Sequence, residues 1–435
     1  FAITGWLLYL DRRRKKRAIK RARGALGSSA EGQHWLVGFA SQSGMAEQLA
    51  WRTAGQLQAA GIPVQVQPLA RVDAQALRQA HRALFVVSTF GDGEAPDSAR
   101  GFERSLLGRE LALTDLSYAV LALGDRQYQQ FCGFARRLHG WLQQQGANSL
   151  FTPVEVDNGD AAALAHWQQQ VSDLTGAPAQ VMAAEPFVAW RLLARECLNP
   201  GSCGAPTFLL RLQPPLGADW QAGDLLEVLP GNNAAVAVRE YSIASLSADG
   251  VLELLVRQER HPDGSLGLGS GWLSVDAPLQ QSLLARVRRN SGFHAPAADC
   301  PLILLGNGSG LAGLRSLLKQ RIAAGHTRNW LLFGERHAEH DFYCRAELQG
   351  WLASGELTRL DLAFSRDQAA KLYVQDRLRM AAEQLQSWVA EGAAIYVCGS
   401  LDGMASGVDA VLREVLGNAQ VEQLLQEGRY RRDVY

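Results

Sequence analysis

Three stretches of the 435-residue chain carry residue types that suit phosphate binding. Ser41–Glu47 (Ser-Gln-Ser-Gly-Met-Ala-Glu) combines hydroxyl side chains with a glycine, and Leu305–Arg315 is rich in glycine. Ser365–Gln375 adds two cations, Arg366 and Lys371. Backbone N–H groups at a helix start attract anions, and arginine and lysine pair with phosphate oxygens. Ordinary turns with a serine cap and solvated charge clusters have the same composition, so each stretch alone leaves its function open.

The elements around these stretches are short apolar runs. Over 33–176 and 299–435 they alternate with helix-like segments, as in parallel sheets that bind ligands at the carboxyl ends of their strands. Over 186–298 they alternate with Gly, Pro and Asp turns, which predicts a small antiparallel barrel. The sequence therefore predicts an α/β multidomain protein with a doubly wound sheet, a barrel and a second α/β domain. The predicted strands are 34–39, 83–88, 118–123, 207–212, 225–229, 252–257, 301–305, 329–333, 360–364 and 394–398.

The composition excludes some functions. Lys+Arg and Asp+Glu each number 43, so the formal net charge is zero, whereas a dedicated nucleic-acid binder carries a basic excess. We therefore expect no nucleic-acid partner. The hydrophobic share of 47% and the charged share of 20% are those of a globular protein. The six cysteines show neither a Cys-x-x-Cys pair nor zinc-ligand spacing, so we expect no metal centre.

The zero net charge hides a basic segment near the start of the sequence. Residues 1–10 carry no charge and include Trp6 and Tyr9, whereas residues 11–23 hold nine Lys/Arg. An apolar segment followed by a basic cluster is typical of the cytoplasmic end of a transmembrane helix. The pattern predicts the end of a truncated membrane helix at 1–10, followed by cytoplasmic residues. A basic tail with a chance apolar start is the alternative.

Three loops that follow predicted strands resemble those of one known domain. Ser41–Glu47, Ser88–Asp97 and Leu123–Cys132 occur in the order found in the flavodoxin-like, FMN-binding domain of diflavin reductases. The resemblance implies that the first loop holds the FMN phosphate and that Phe90 and Tyr128 flank its planar ring, which aromatic faces suit. The implied FMN residues are Ser41, Gln42, Ser43, Gly44, Met45, Ala46, Ser88, Thr89, Phe90, Gly91, Leu123, Gly124, Asp125, Tyr128, Phe131 and Cys132.

Two further motifs resemble the FAD site of the ferredoxin–NADP reductase superfamily. Arg239-Glu-Tyr-Ser242 resembles its Arg-x-Tyr-Ser motif, and Gly267–Leu273 resembles the glycine-rich turn that receives the FAD pyrophosphate. The resemblance implies that Arg239 clamps the pyrophosphate and Tyr241 stacks on the flavin, from one face of a strand. A surface arginine and a strand tyrosine are the alternative for the first motif alone. The implied FAD residues are Arg239, Tyr241, Ser242, Gly267, Gly269, Ser270 and Tyr435.

The last third of the chain resembles the NADPH-binding domain of the same family. Leu305–Arg315 resembles its Gly-x-Gly-Thr-Gly-Ile-Ala-Pro loop, with Gly313 in place of the proline. Ser365–Gln375 resembles the Ser-Arg…Lys-x-Tyr-Val-Gln pattern that grips the 2′-phosphate, which favours NADPH over NADH. Gly407 stands where a carboxylate is common, which predicts a missing contact to the ribose or adenine. The implied NADPH residues are Gly308, Ser309, Ser365, Arg366, Lys371, Tyr373 and Gln375.

The carboxyl terminus is similar to that of the sulfite reductase flavoprotein family. Over Arg429–Tyr435 (Arg-Tyr-Arg-Arg-Asp-Val-Tyr), the resemblance implies that Tyr435 covers the FAD ring and moves aside for the nicotinamide. Cys398 ends the last predicted strand and resembles the family cysteine beside the nicotinamide. The residues implied in hydride transfer are Ser242, Cys398, Asp433 and Tyr435.

The resemblance implies a relay from NADPH to FAD, from FAD to FMN, and from FMN to a one-electron acceptor. The cytochrome P450 reductase and sulfite reductase families insert a largely helical region before Arg-x-Tyr-Ser. Only a few residues separate Asn233 from Arg239, so no such region fits here. The chain is most similar to bacterial forms fused to a PepSY-associated membrane region. That form implies a bacterial inner-membrane location, cytoplasmic catalytic domains and a haem- or iron-containing electron acceptor.

Two alternatives to this membrane-tethered reductase stay open. One is the flavoprotein component of sulfite reductase, and the other is an electron-carrier module without reductase activity. The predicted organisation is a membrane-helix end (1–10), a basic linker (11–32), an FMN domain (33–176), a linker (177–185), an FAD-binding barrel (186–298) and an NADPH-binding domain (299–435).

Overall fold

The structure, a computed structural model, describes residues 34–176, 186–233, 236–296 and 299–435. The predicted membrane-helix end and both predicted linkers lie outside these ranges. Within them, no helix combines the length and the apolar character needed to cross a membrane.

The chain divides into two compact units. The first unit contains residues 34–40, 47–89 and 102–176. The second unit contains residues 41–46 and 90–101 together with the described residues from 186 to 435.

The first unit contains a six-stranded parallel sheet. Its strands are β1 (Trp35–Ala40), β2 (Val64–Pro68), β3 (Arg82–Ser88), β4 (Ser117–Gly124), β5 (Asn148–Ser149) and β6 (Val154–Asp157). The strand order is β2-β1-β3-β4-β5, and β6 also pairs with β4. The apolar run Leu84–Val87 in β3 is fully buried, as in parallel sheets whose two faces are both covered. Because all strands are parallel, Ala40, Ser88, Gly124 and Asp157 end at the same edge of the sheet.

Helices cover this sheet, and local signals define their ends. Those that lie wholly or mostly in the first unit are α1 (Met45–Ala59), α2 (Ala74–Gln79), α3 (Arg100–Leu106), α4 (Gly133–Gln144) and α5 (Ala161–Thr175). Asp160 caps α5 by accepting hydrogen bonds from Ala162 N and Ala163 N at 3.1 and 3.2 Å. Trp167 Nε1 donates to Thr53 Oγ1 at 3.0 Å, which joins α5 to α1.

The second unit contains a six-stranded antiparallel sheet. Its strands are β7 (Val188–Cys197), β8 (Thr207–Gln213), β9 (Leu225–Val228), β10 (Arg239–Ser242), β11 (Leu252–Arg257) and β12 (Ser282–Arg288). The order is β10-β9-β12-β7-β8-β11. An isolated antiparallel bridge pairs Ile243, the residue after β10, with Leu254 in β11, and Ala244 N donates to Glu253 O at 2.8 Å. These contacts bring the end of β10 against β11 at the opposite edge of the sheet, and the closed barrel stays a prediction.

A five-stranded parallel sheet completes the second unit, in the order β15-β14-β13-β16-β17. Its strands are β13 (Leu302–Asn307), β14 (Asn329–Glu335), β15 (Arg359–Phe364), β16 (Ala394–Gly399) and β17 (Tyr430–Val434). The helices of the second unit are α6 (Leu268–Gly271), α7 (Leu311–Ala323), α8 (Ala338–Asp341), α9 (Arg345–Ser354), α10 (Val374–Met380), α11 (Ala382–Ala390), α12 (Ser406–Leu416) and α13 (Asn418–Gln426).

The two sheets of the second unit share a core. Leu255 and Phe293 from the antiparallel part pack with Leu304 and Tyr396 from the parallel sheet. The mostly buried Arg315 on α7 donates to Ala244 O at 2.8 Å and to Glu253 at 2.6 Å. A buried arginine that binds both a carbonyl and a carboxylate holds α7 firmly against the antiparallel strands.

Candidate active site

The predicted FMN-phosphate loop, Ser41–Ala46, leads directly from β1 into α1. Ser41 Oγ accepts a hydrogen bond from Ala46 N at 3.2 Å, and Gly44 has the positive φ of 86° that favours glycine. Ser98 Oγ donates to Ser41 O at 3.1 Å. Ser41, Gln42, Ser43 and Met45 are partly exposed, whereas Gly44 and Ala46 are buried. A half-exposed turn at a helix start has the form of an anion site.

Phe90, predicted to flank FMN, begins a tight turn. Its backbone exchanges two hydrogen bonds of 2.8 Å with Glu94, and Gly91 within the turn has φ of 50°. The Phe90 side chain is 8% exposed, and the Arg432 guanidinium lies 5.1 Å from its ring centroid. Phe90 is therefore packed into the second unit and one of its faces meets a cation.

The other predicted FMN residues lie at strand ends of the first unit. Ser88 and Thr89 follow β3, and Thr89 N donates to Leu123 O at 2.8 Å. Thr89 Oγ1 is buried and, among the described residues, has no hydrogen-bond partner. A buried hydroxyl without a partner is unfavourable, and a polar group of FMN would supply one. The first unit therefore offers a donor that fits the predicted cofactor.

The loop from Gly124 to Cys132 has a compact base and an exposed tip. A Cβ on Gly124 would lie 3.0 Å from both Cys132 Sγ and Phe131, so a larger residue here would crowd both side chains. Asp125 Oδ1 accepts from Gln127 N at 2.8 Å, and Tyr128 at the tip is 42% exposed. Burial raises the pKa of the Cys132 thiol to about 12, so it stays protonated.

The predicted FAD residues converge within the second unit. An added Cβ on Gly269 in α6 would lie 2.7 Å from Arg239 Cγ and would press on the Tyr241 hydroxyl. Ser270 Oγ accepts from Glu259 N at 3.0 Å, and Gly267 lies against Ser270 and Glu259 in the same turn. Arg239 Nη1 donates to two nearby backbone carbonyls at 3.1 and 3.2 Å. The glycine-rich turn thus approaches the Arg-x-Tyr-Ser strand closely enough to form one cradle for a pyrophosphate.

Residues predicted for hydride transfer meet although they are far apart in sequence. Ser242 Oγ donates to Asp433 Oδ2 at 3.0 Å, and Cys398 Sγ lies 3.9 Å from the same oxygen. Cys398 in β16 pairs directly with Asp433 in β17. Burial raises the pKa of both groups above their ordinary values, and for the thiol the Asp433 carboxylate adds to the effect. Cys398 is therefore a neutral thiol.

Tyr435 joins this cluster to the glycine-rich loop of the NADPH domain. Its hydroxyl lies 2.8 Å from Ser309 Oγ, and its side chain is 57% exposed. Gly308 has a positive φ of 56°, and Gly310 has no room for a Cβ because the Cys398 carbonyl lies against it. Glycines at these points let the loop approach the end of β16, as a nucleotide-binding turn requires.

The predicted 2′-phosphate residues lie on an exposed loop after β15. Ser365 is anchored, since its N donates to Glu335 O at 2.9 Å. The side chains of Arg366 and Lys371 are exposed, and neither has an ion-pair partner among the described residues. Tyr373 is 41% exposed. Unpaired cations beside hydroxyl donors fit a doubly charged phosphate.

Comparisons with known proteins agree with this geometry. Residues 37–167 match the flavodoxin family model, and residues 304–410 match the model of the oxidoreductase NAD-binding domain. The two models correspond to the two parallel sheets of the structure. The chain belongs to the diflavin reductase family. It is an NADPH-dependent flavin oxidoreductase with FMN and FAD as its cofactors.

Several curated relatives of this diflavin reductase are sulfite reductase [NADPH] flavoprotein alpha-components. That of Vibrio cholerae is 29% identical, with 95% of this chain and 89% of the relative covered. Those of Neisseria meningitidis and Bacillus subtilis are 29% and 26% identical, each with 91% of this chain and 88% of the relative covered. The V. cholerae alignment spans 548 residues against 435 in this chain, so the relative contains sequence that this diflavin reductase lacks.

The structure adds residues to this diflavin reductase site that the sequence did not indicate. Glu335 and Arg257 lie 3.7 Å apart, and both approach the Cβ position of Gly308 within 3.4 Å. Burial raises the pKa of the Glu335 carboxyl. The place of Glu335 at the carboxyl end of the parallel strand β14 was the available signal for that residue, because ligands bind at such strand ends.

Gln375 is one of the predicted NADPH residues, but its contact with Gly407 was not indicated by the sequence. An added Cβ on Gly407 would lie 2.9 Å from its Cδ, so the space of the expected carboxylate is taken by the Gln375 amide. Gln375 Oε1 is buried without a hydrogen-bond partner in the described part of the chain. This acceptor can replace the contact that the glycine was predicted to remove.

Proposed function

We propose that this chain passes electrons from NADPH through FAD and FMN to a haem or ferric centre at the bacterial inner membrane. The main observation in support of this relay is the Ser242–Asp433–Cys398 cluster next to the Ser309–Tyr435 hydrogen bond. When bound, the flavins supply acceptance of a hydride and its release as single electrons. The protein supplies orientation, charge and exclusion of water.

Each polar group of the cluster and of the neighbouring Tyr435 has a role that follows from its contacts. The Asp433 carboxylate orients the Ser242 hydroxyl through the 3.0 Å hydrogen bond. The neutral Cys398 thiol presents no charge to a hydride, unlike a thiolate. Among the described residues, the Tyr435 side chain has one hydrogen-bond partner, Ser309, and the residue is more than half exposed, so its ring can move aside for the nicotinamide.

The membrane location rests on the sequence. Ten uncharged residues precede a segment with nine Lys/Arg, which suits the cytoplasmic side of a membrane. The short distance between Asn233 and Arg239 and the length of the alignment with V. cholerae also set this chain apart from the sulfite reductase flavoproteins.

The second candidate is the flavoprotein component of sulfite reductase. Its support is the name of the curated relatives, whose alignments cover about nine-tenths of this chain or more. In this case the acceptor is a haemoprotein partner that binds the chain from solution.

Spectroscopy on isolated membranes and on the purified chain separates the candidates. The purified chain should contain about one FMN and one FAD and should reduce cytochrome c with NADPH. In membranes from cells that express this protein, NADPH should then reduce a b-type haem. Flavin reduction without any haem signal, together with co-purification of a sirohaem protein, would favour the sulfite reductase candidate. A chain that binds neither flavin would contradict both.

A further inference from the structure

One ion pair of the second unit joins segments far apart in sequence. Arg432 Nε donates to Asp97 Oδ2 at 2.7 Å, and Arg432 Nη2 binds the other carboxylate oxygen. The two side chains are only 5% and 10% exposed. A two-point arginine–carboxylate contact has defined geometry, and shielding from water makes it stronger than a surface pair.

The pair belongs to a small polar cluster. Gln42 Nε2 donates to Asp97 Oδ2 and to Arg432 O, both at 3.0 Å, and Asp97 N donates to Gln42 Oε1 at 2.9 Å. The Arg432 guanidinium also lies over the Phe90 ring. The cluster therefore connects the predicted FMN-phosphate loop, the segment Phe90–Gly101 (the Phe90 segment) and strand β17.

A second arginine makes a parallel contact. Arg288 Nη1 at the end of β12 donates to Ser43 O at 3.1 Å and to Ser43 Oγ at 2.9 Å. Arg288 is 8% exposed and is held by Glu240 and Glu227 at 2.6 and 3.3 Å. Two buried arginines thus hold the two segments that follow β1 and β3.

Strand β17 also contacts the residues predicted for hydride transfer. Side chains alternate along a strand, so Arg432 and its neighbour Asp433 point to opposite faces. Arg432 meets Asp97 and Phe90, while Asp433 meets Ser242 and Cys398. Tyr435 follows two residues later. One short strand therefore contacts both the Phe90 segment and the hydride-transfer cluster.

We propose that the Asp97–Arg432 ion pair positions the Phe90 segment on strand β17 and thereby sets the rate at which electrons pass from FAD to FMN. The proposal rests on the proposed relay. In this proposal, contacts within the second unit have the positioning role. The sequence has no space for the largely helical region that the cytochrome P450 reductase and sulfite reductase families insert before Arg-x-Tyr-Ser. Arg432 and Asp97 are positioning residues, because they act through Phe90 and β17.

Anaerobic stopped-flow mixing of the full chain with NADPH tests the proposal, because it separates flavin reduction by NADPH from the later transfer between flavins. Asp97→Asn keeps the side-chain shape but removes the charge. The first phase should stay within about twofold of the wild type, and the second should slow by about tenfold or more, since small misplacements have large effects on rate. Arg432→Lys keeps the charge but not the two-point geometry. The rate of its second phase should therefore lie between those of the wild type and Asp97→Asn.

Asp361→Asn is the matched control. Asp361 pairs with Arg359 on β15 at 2.6 Å and touches neither flavin segment, so both phases should be unchanged. A second phase in Asp97→Asn within about twofold of the wild type would overturn the inference. Loss of bound FMN from Asp97→Asn would overturn it too, since the pair would then retain the cofactor rather than position it. A wild-type chain without two flavin phases would instead refute the relay itself.

Discussion

Two regions of the second unit that are predicted to contact NADPH differ in how their polar groups are paired. The hydride-transfer cluster is satisfied internally: Ser242 and Asp433 are hydrogen-bonded to each other, and Cys398 is fully buried beside them. The loop Ser365–Gln375 instead presents exposed Arg366 and Lys371 without ion-pair partners in the described ranges. One region is organised before the substrate arrives, whereas the other leaves its charges for the substrate to pair.

The difference follows from what each region must do. Hydride transfer depends on orientation, and orientation is best supplied by groups that do not rearrange during the reaction. Recognition of a 2′-phosphate depends on charge, and a cation already paired with a carboxylate would have to lose that partner first. We therefore expect changes in the cluster to alter kcat and changes in the loop to alter KM.

The largest expected effect comes from the cluster. Asp433→Ala removes the acceptor of the Ser242 hydroxyl, so kcat for flavin reduction by NADPH should fall about 100-fold while KM stays within about threefold. Stopped-flow absorbance of the flavins measures both. Asp433→Asn retains an acceptor oxygen and should lose less. An equal rise in KM for both variants would show that the cluster binds substrate rather than orienting it.

The phosphate loop should give the reverse result. Arg366→Ala removes a charge-assisted contact worth about 2 kcal/mol, so KM for NADPH should rise about 30-fold with kcat retained. KM for NADH should not change, because NADH lacks the 2′-phosphate. Steady-state kinetics with both nucleotides measure this. Arg379→Ala, which removes an exposed arginine already paired with Glu414, is the matched control and should leave both constants unchanged.

Much of this contrast could be predicted from the sequence. The apolar runs placed β3, β4, β13 and β16 correctly because buried parallel strands have a continuous apolar composition. The exposed loop could also be located, since its residues are close together along the chain. The role of Ser242 with Asp433 came only from a family resemblance, because no local pattern predicts a contact across 191 residues.

The contacts that the sequence did not predict depend on how the elements pack in three dimensions. The Asp97–Arg432 pair joins residues 335 positions apart, and the Ile243–Leu254 bridge depends on how the outer strands curve. Gln375 filling the space at Gly407 is a packing outcome between α10 and α12. Such contacts depend on tertiary geometry, which composition and spacing do not specify.

Gly407→Ala tests whether one residue of the loop Ser365–Gln375, Gln375, is held in place before the nucleotide binds. An alanine Cβ would lie 2.9 Å from Gln375 Cδ and would push the amide away. If Gln375 Oε1 accepts a hydrogen bond from the nucleotide, KM for NADPH and NADH should both rise about fivefold, the value of one hydrogen bond. Adding Gln375→Ala should then cause no further change. Gly350→Ala, at a helix position with open space, is the control, and an effect as large there would reject the explanation.

The smallest expected effect tests whether Tyr435, beside the hydride-transfer cluster, is restrained by its hydrogen bond to Ser309. In the described part of the chain, the 2.8 Å hydrogen bond to Ser309 Oγ is the side-chain hydrogen bond that holds Tyr435, whose ring is predicted to move for the nicotinamide. Ser309→Ala and Tyr435→Phe each remove it, so each should lower KM for NADPH by about threefold, as expected for one neutral hydrogen bond. The double variant should match the single ones, because both changes delete the same contact. Two independent, additive effects would instead mean that Ser309 and Tyr435 contact the nucleotide separately and that the hydrogen bond does not restrain the ring.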